Sequence, residues 1–274
     1  MPTLISLMNF WRNFILGRIN KRVKIIVSAA FLSLGFLFVG ISEIFWRFRA
    51  IAILSCLTYL LSAWSLIDSL RDVGWFTILT LPTFFTAGVG FFYFLLPAAW
   101  YTRIPVVILY GIGIYVLLLV GNIFSVASIR TIQLLRSAQA VGFLLTLTTS
   151  FFLYDTILSF RLPFWVNFFL IVLVSFPLII QALWSVNLER KITFRLFIYA
   201  LALSLIQGEI ATAFSFWPLS IAVYSLALTT SLYISLGLTQ NYLTQRLFSK
   251  TINEYFGVGL AVLFVIFLTT YWGG

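Results

Sequence analysis

The sequence predicts an all-α integral membrane protein that crosses the bilayer about nine times, and two observations carry this prediction. Hydrophobic residues make up 62% of the 274-residue chain and charged residues only 9%, whereas a soluble domain carries about 25% charged residues. The apolar residues also occur in repeated runs of about 20, the length at which a helix crosses the hydrocarbon core of a bilayer. So little polar surface cannot cover a water-soluble globule.

Nine apolar segments follow one another along the chain, joined by short loops. They are residues 24–42, 50–67, 75–97, 105–123, 139–159, 165–186, 194–215, 219–238 and 255–272. Only Phe216, Trp217 and Pro218 separate the seventh segment from the eighth, and proline is a natural helix breaker. If these two segments form one re-entrant hairpin, or if another segment does not cross, the count falls to eight or seven.

The basic residues predict how the spans are oriented. With the N-terminus in the cytoplasm, 13 of the 17 Lys and Arg side chains lie on the cytoplasmic side, as the positive-inside rule requires. The remaining four are Arg47, Arg49, Arg103 and Arg161, which we take as candidates for binding an anion at the outer face. An odd number of spans then puts the C-terminus outside. The predicted location is the cell (inner or plasma) membrane.

The chain divides into an interfacial segment, residues 1–22, and one transmembrane helical domain, residues 23–274. In the first segment Leu4, Leu7 and Trp11 recur at helical spacing, which predicts an amphipathic helix on the cytoplasmic surface. The net charge of +10 indicates contact with anionic lipid headgroups rather than nucleic acid, because the basic residues flank apolar spans. Docking of a membrane or cytoplasmic protein is a second interpretation of such segments.

Several enzyme classes are excluded by composition. Histidine is absent, which removes Ser-His-Asp and Cys-His nucleophile systems and zinc motifs of the HExxH kind. The only cysteine is Cys56, so neither a disulfide nor a cysteine metal cluster can form within the chain. We therefore predict no catalytic residue, no metal site and no cofactor.

Glu209 is the most informative residue, because it lies far from either end of an apolar segment. A carboxylate inside a bilayer is costly and usually faces a protein interior or a wet cavity. Gln207 and Thr212 lie beside it in the sequence, and together they suggest a binding site or an ion path. The structural alternative is a buried carboxyl that hydrogen-bonds hydroxyl groups of a neighbouring span.

A second group of candidates is formed by Tyr154 and Asp155 in the fifth segment and Thr229 in the eighth. Spans five, seven and eight are rich in hydroxyl groups and are predicted to surround a common interior. Asp155 near an outer end either pairs with Arg161 or Arg103, or lies with Glu209 at the bottom of an outward cavity.

Three function classes fit these residues. The first is a transporter or permease-like protein in which Glu209 is the coupling carboxyl. The second is a non-enzymatic subunit of a membrane complex or of its assembly, in which polar groups hold helices and partners together. The third is an enzyme that acts on a lipid-linked substrate at the outer face, with Glu43, Asp155 or Glu209 as acid or base and the outer arginines on phosphate.

Overall fold

The computed structural model describes residues 20–41, 46–67, 75–97, 100–128, 133–189 and 192–270. In these ranges the chain forms nine α-helices and no strand. They are α1 (Lys21–Ile41), α2 (Arg47–Leu66), α3 (Trp75–Tyr93), α4 (Trp100–Ala127), α5 (Leu135–Ser159), α6 (Phe164–Asn187), α7 (Phe194–Phe214), α8 (Ile221–Leu243) and α9 (Ser249–Thr269). Each is long and apolar enough to cross a membrane, so the predicted multi-pass helical architecture is confirmed.

The helix bounds refine the predicted segments. The seventh and eighth segments form two separate helices, each of spanning length. The first helix begins at Lys21, so residues 21 and 22 belong to α1, while residues 1–19 of the predicted interfacial segment lie outside the described residues. Helix α9 begins at Ser249, six residues before the predicted start at residue 255. The reason is that hydropathy marks only the apolar part of a helix, and polar first turns can continue it.

The buried side chains form three clusters, and these divide the bundle into two halves. One cluster lies mainly among α1–α4 around Leu32 and Phe36, and another lies among α5–α8 around Leu183 and Leu228. The third contains Trp184 and joins the two halves near the C-terminal end of α6. Helix α3 packs against four others, namely α2, α4, α5 and α6.

The last helix is peripheral. Helix α9 makes its main contact with α8, and Ile266 is the one buried residue that this described helix contributes. Helices α6 and α7, in contrast, form the most extensively packed pair of the described chain. The candidate site residues on α7 are therefore positioned chiefly by α6 and, through hydrogen bonds, by α8.

Candidate functional site

Glu209 lies on the outside of the bundle. At 3.6 residues per turn its side chain points away from the buried face of α7, which consists of Leu196, Ala200, Ser204, Gln207, Gly208 and Ala211. Its exposed neighbours on the outward face are apolar, and they are Ala202, Leu205, Ile206 and Ala213. Among the described residues no group hydrogen-bonds or ion-pairs with Glu209. The sequence predicts a carboxylate inside the bundle, whereas the structure places it on the outer surface of the described bundle.

Gln207 and Thr212 point elsewhere. The side-chain amide of Gln207 is buried against α8. Its nitrogen donates to the Leu228 carbonyl at 3.2 Å, and its oxygen accepts from the Ser231 hydroxyl at 3.1 Å. The Thr212 hydroxyl donates to the Gly208 carbonyl of its own helix at 3.0 Å. The structure therefore does not gather these two residues around Glu209.

Asp155 is buried, with 8% of its surface exposed, and it joins two helices. The Ser225 hydroxyl of α8 donates to the Asp155 carboxylate at 3.0 Å. The sequence had suggested Arg161 or Arg103 as its partner, and the structure supplies this serine instead. A hydroxyl on a facing helix is close enough to hydrogen-bond the acid, so an arginine is not needed for that role.

Tyr154 and Thr229 occupy different environments. Tyr154 is fully buried, and its hydroxyl lies 2.6 Å from that of Ser175 on α6. The Thr229 hydroxyl donates to the Ser225 carbonyl within α8 at 2.8 Å. Asp155, Tyr154 and Gln207 therefore bridge α5 to α8, α5 to α6 and α7 to α8, respectively, whereas Thr229 bonds within its own helix.

Two of the four outer arginines converge. Arg47 and Arg103 line a small cavity of about 20 Å³ together with Tyr93, and the Arg47 guanidinium lies 4.9 Å from the centre of the Phe94 ring. A cavity of that size holds about one water molecule and is too small for a phosphate.

The other two outer arginines are placed apart from this cavity. Arg49 lies over the Trp46 ring at 4.9 Å, and Arg161 is exposed in the loop after α5 with φ of 49°. Glu43, one of the three acids considered for an outer-face enzyme, lies outside the described residues.

A polar pocket that the sequence did not indicate lies at the end of the bundle where α6 ends and α7 begins. Its volume is about 430 Å³, and it is lined by Asn187, Glu189, Thr193, Arg195, Leu196, Tyr242, Leu243 and Gln245. Arg195 and Tyr199 stand four residues apart on one helix, a spacing from which their contact could be predicted. Tyr242 is 47 residues away from Arg195, and no local pattern announces their contact.

Comparison with known proteins identifies a family. The sequence model described as "Protein of unknown function (DUF5656)" matches residues 33–269. The chain belongs to the DUF5656 family. Neither curated proteins nor solved structures supply a match to it. The matched range contains every candidate residue described above, from Arg47 to Gln245, and so the site can be compared across DUF5656 members.

The chemistry available to this DUF5656 chain differs between its inside and its outside. Inside, the acid Asp155 and the amide Gln207 already have hydrogen-bonding partners on α8. Outside, Glu209 has a carboxylate that the described part of the chain leaves without a partner. An exposed acid among apolar neighbours, without a partner in the described part of the chain, is the feature that most needs a functional explanation.

Proposed function

We propose that this DUF5656 chain is a non-enzymatic subunit of a membrane complex, and that the outward face of α7 docks against a membrane-spanning helix of a partner. The exposure of Glu209 among apolar neighbours is the observation that supports this proposal. Glu209 stands five residues before the end of α7 at Phe214, which is about 7 Å along the axis. A carboxylate at that depth is costly unless another protein group hydrogen-bonds or neutralises it.

The residues around Glu209 have the spacing of a helix-pairing seam. Ala202, Ile206, Glu209 and Ala213 follow one another at intervals of four, three and four residues and are all exposed. This spacing keeps side chains on the face that two supercoiled helices share. Small alanine side chains allow the backbones of two membrane helices to approach closely. The partner helix is therefore expected to carry a Lys, an Arg or a neutral hydrogen-bond donor opposite Glu209.

We also propose that the complex lies in the cell (plasma) membrane with the N-terminus of this chain in the cytoplasm. The distribution of basic residues supports this orientation, since 13 of 17 fall on one predicted side of the bundle. In that orientation Glu209 lies in the outer half of α7, and the partner's donor is expected at the same depth.

Site-specific crosslinking tests the subunit proposal. A photo-crosslinking amino acid at Ala213 is expected to capture one partner protein in intact membranes, whereas the same probe at Phe264 should react with lipid only. Phe264 is a suitable control because it is 64% exposed and lies on α9. Glu209→Leu should reduce capture at Ala213 about tenfold, since a hydrogen bond to a charged group contributes about 1.5–3 kcal/mol. Glu209→Gln should retain part of the capture, because an amide still hydrogen-bonds.

Two results would contradict this proposal. One is that the probe at Ala213 yields lipid adducts alone, as expected if the Glu209 carboxylate merely reaches the headgroup region. The other is a protein adduct whose yield is the same in wild type, Glu209→Gln and Glu209→Leu, which would remove the carboxylate from the interface.

Transport is a second candidate function, and the burial of Asp155 favours it. An acid inside a bundle that hydrogen-bonds a facing helix is an arrangement that proton-coupled transporters use. Transport predicts that wild-type protein in liposomes dissipates an imposed pH gradient and that Asp155→Asn does not. The amide oxygen of asparagine can still accept from Ser225, so the variant should keep the melting temperature of the wild type. A gradient that survives in both samples, or decays equally in both, argues against this candidate.

A further inference from the structure

The pocket between the ends of α6, α7 and α8 is formed by side chains of both charges. Glu189 and Arg195 line it from opposite sides of the α6–α7 connection, and Asn187, Thr193 and Gln245 add uncharged polar groups. Its volume of about 430 Å³ falls within the range of small-molecule sites. The chemistry of these residues is not used by the proposed docking face on α7.

The guanidinium of Arg195 is held in one orientation. Its Nε donates to the Tyr199 hydroxyl at 3.2 Å, and one terminal nitrogen donates to the Tyr242 hydroxyl at 3.3 Å. The two rings lie 5.5 and 5.8 Å from the guanidinium carbon, within the range of cation–π contacts. Guanidinium has five N–H donors, and these bonds use two of them. The others are available to a ligand in the pocket.

Glu189, which also lines the pocket, is fixed in a similar way. The Thr193 hydroxyl donates to one oxygen of its carboxylate, and the indole N–H of Trp184 donates to its backbone carbonyl at 2.8 Å. The second carboxylate oxygen remains available.

The two charged groups do not pair with each other. Both Glu189 and Arg195 are described residues, and no salt bridge within 4.0 Å joins them. The two opposite charges share one pocket, but each is held by other groups and they do not contact each other. This arrangement leaves room for a ligand that carries both charges. Such a ligand places its anion at Arg195 and its cation at Glu189.

The backbone on both sides of the pocket is held in an unusual conformation. Leu188 and Gln245 have φ of 52° and 56°, in the left-handed region that side chains other than glycine seldom adopt. Strained residues of this kind concentrate at binding sites. Leu188 directs the chain from α6 into Glu189, and Gln245 itself lines the pocket. Both turns therefore position residues of the pocket.

The depth of the pocket indicates the kind of ligand. Arg195 is the second residue of α7, whose apolar stretch begins at Phe194, so we expect the guanidinium at the boundary between hydrocarbon and headgroups. Phosphate is the anion found at that depth, and arginine is well suited to bind it. Leu196 and Leu243 supply the apolar part of the lining.

We propose that this pocket binds a zwitterionic group in which a phosphate lies beside a primary ammonium, with the phosphate at Arg195 and the ammonium at Glu189. Two sources can supply this chemistry, namely the headgroup of an ethanolamine phospholipid and soluble phosphoethanolamine. The site is independent of the partner proposed for Glu209 and can be tested on the purified chain alone.

Native mass spectrometry of the full chain, with equimolar phosphatidylethanolamine and phosphatidylglycerol, tests the proposal. Wild type is expected to retain the ethanolamine lipid over the glycerol lipid about threefold or more, because only the former carries the ammonium. Arg195→Gln should reduce retention of both lipids about threefold to tenfold, because it removes the charge-assisted hydrogen bonds to the phosphate. The reduction is no larger because solvent partly screens these bonds at an exposed site. Glu189→Gln should bring the ratio of retained ethanolamine lipid to retained glycerol lipid close to one.

Lys250→Gln is the matched control. Lys250 is an exposed basic residue near the same end of the bundle and does not line the pocket. Its replacement should therefore change the retention of either lipid by no more than about twofold. Equal retention of the two lipids by wild type, or equal losses in Arg195→Gln and Lys250→Gln, would overturn the proposal.

The source is identified by competition. Soluble phosphoethanolamine that displaces the ethanolamine lipid at millimolar concentration identifies a soluble ligand for the site. Retention of the lipid under the same conditions identifies the headgroup. Either result is consistent with a zwitterion site at Glu189 and Arg195.

Discussion

Replacing Trp184 by alanine is expected to lower the free energy of unfolding by about 3 kcal/mol. Trp184 is 1% exposed and belongs to the cluster that joins the two halves of the bundle. Its ring meets that of Phe124 edge to face at a centroid distance of 6.4 Å. In a membrane the free energy of moving the side chain out of water contributes less, so the loss of stability comes chiefly from lost packing contacts. We therefore expect a value at the lower end of the range observed when buried aromatic side chains are truncated to alanine.

The variant Trp184→Phe separates packing from hydrogen bonding. Phenylalanine retains most of the ring contact but cannot donate to the Glu189 carbonyl, and we expect it to cost about 1 kcal/mol. Unfolding in a mixed-micelle titration, followed by far-ultraviolet circular dichroism, measures both variants without relying on tryptophan fluorescence. Equal losses in the two variants would attribute the stability to the hydrogen bond rather than to the cluster.

Trp184 also connects the interior of the bundle to the polar pocket. The same indole that fills the cluster holds the Glu189 carbonyl at 2.8 Å, and Leu188 between them has left-handed backbone geometry. Packing in the apolar core therefore fixes part of the lining of the polar pocket. Loosening this contact should affect ligand preference as well as stability.

Much of the fold was accessible from the sequence, because the thickness of a bilayer fixes the length of each span. The predicted segment 194–215 agrees with α7 at Phe194–Phe214, and 165–186 agrees with α6 at Phe164–Asn187. Hydropathy was less informative at the ends, where α4 extends over Trp100–Ala127 and the prediction covered only 105–123. Helical structure continues beyond both ends of the apolar run in α4, and composition alone does not mark where it stops.

The faces of the helices were not accessible from the sequence. Gln207 and Glu209 stand two residues apart and therefore point to nearly opposite sides of α7. In a soluble helix, polarity would reveal which side is buried. The exposed face of α7 is mostly apolar, and its buried face also includes the apolar residues Leu196, Ala200 and Ala211, so polarity does not separate the two faces. The sequence could therefore identify Glu209 as unusual but not assign it to the outer surface.

Only some of the contacts in the pocket could be predicted from the sequence, for a related reason. Arg195 and Tyr199 follow the four-residue spacing at which side chains on one helix meet. Tyr242 reaches Arg195 only because α8 ends beside the start of α7, and this depends on packing between distant segments. The same holds for Asp155, since Ser225 is 70 residues away.

Gly208→Leu is expected to disrupt the contact between α6 and α7. A Cβ atom at Gly208 would lie 2.6 Å from Val172 Cγ2 and 2.8 Å from two ring carbons of Phe168, closer than real contacts allow. Overpacking of this kind costs about 1–3 kcal/mol and occasionally more. We expect the larger value, because small residues let membrane helices approach closely and this pair is the most extensively packed of the described chain. The same micelle titration measures the loss.

Gly257→Leu is the matched control for this prediction. A Cβ atom at Gly257 of α9 has no heavy atom within 4 Å, so leucine meets no obstacle there. Leucine also favours a helix over glycine by up to about 1 kcal/mol, and the variant should be as stable as wild type or more so. A loss at Gly208 no larger than the change at Gly257 would show that α6 and α7 are not closely packed at this point. Since α7 carries Glu209, a large loss confined to Gly208 would in turn support α6 as the element that holds the outward face of α7 in place.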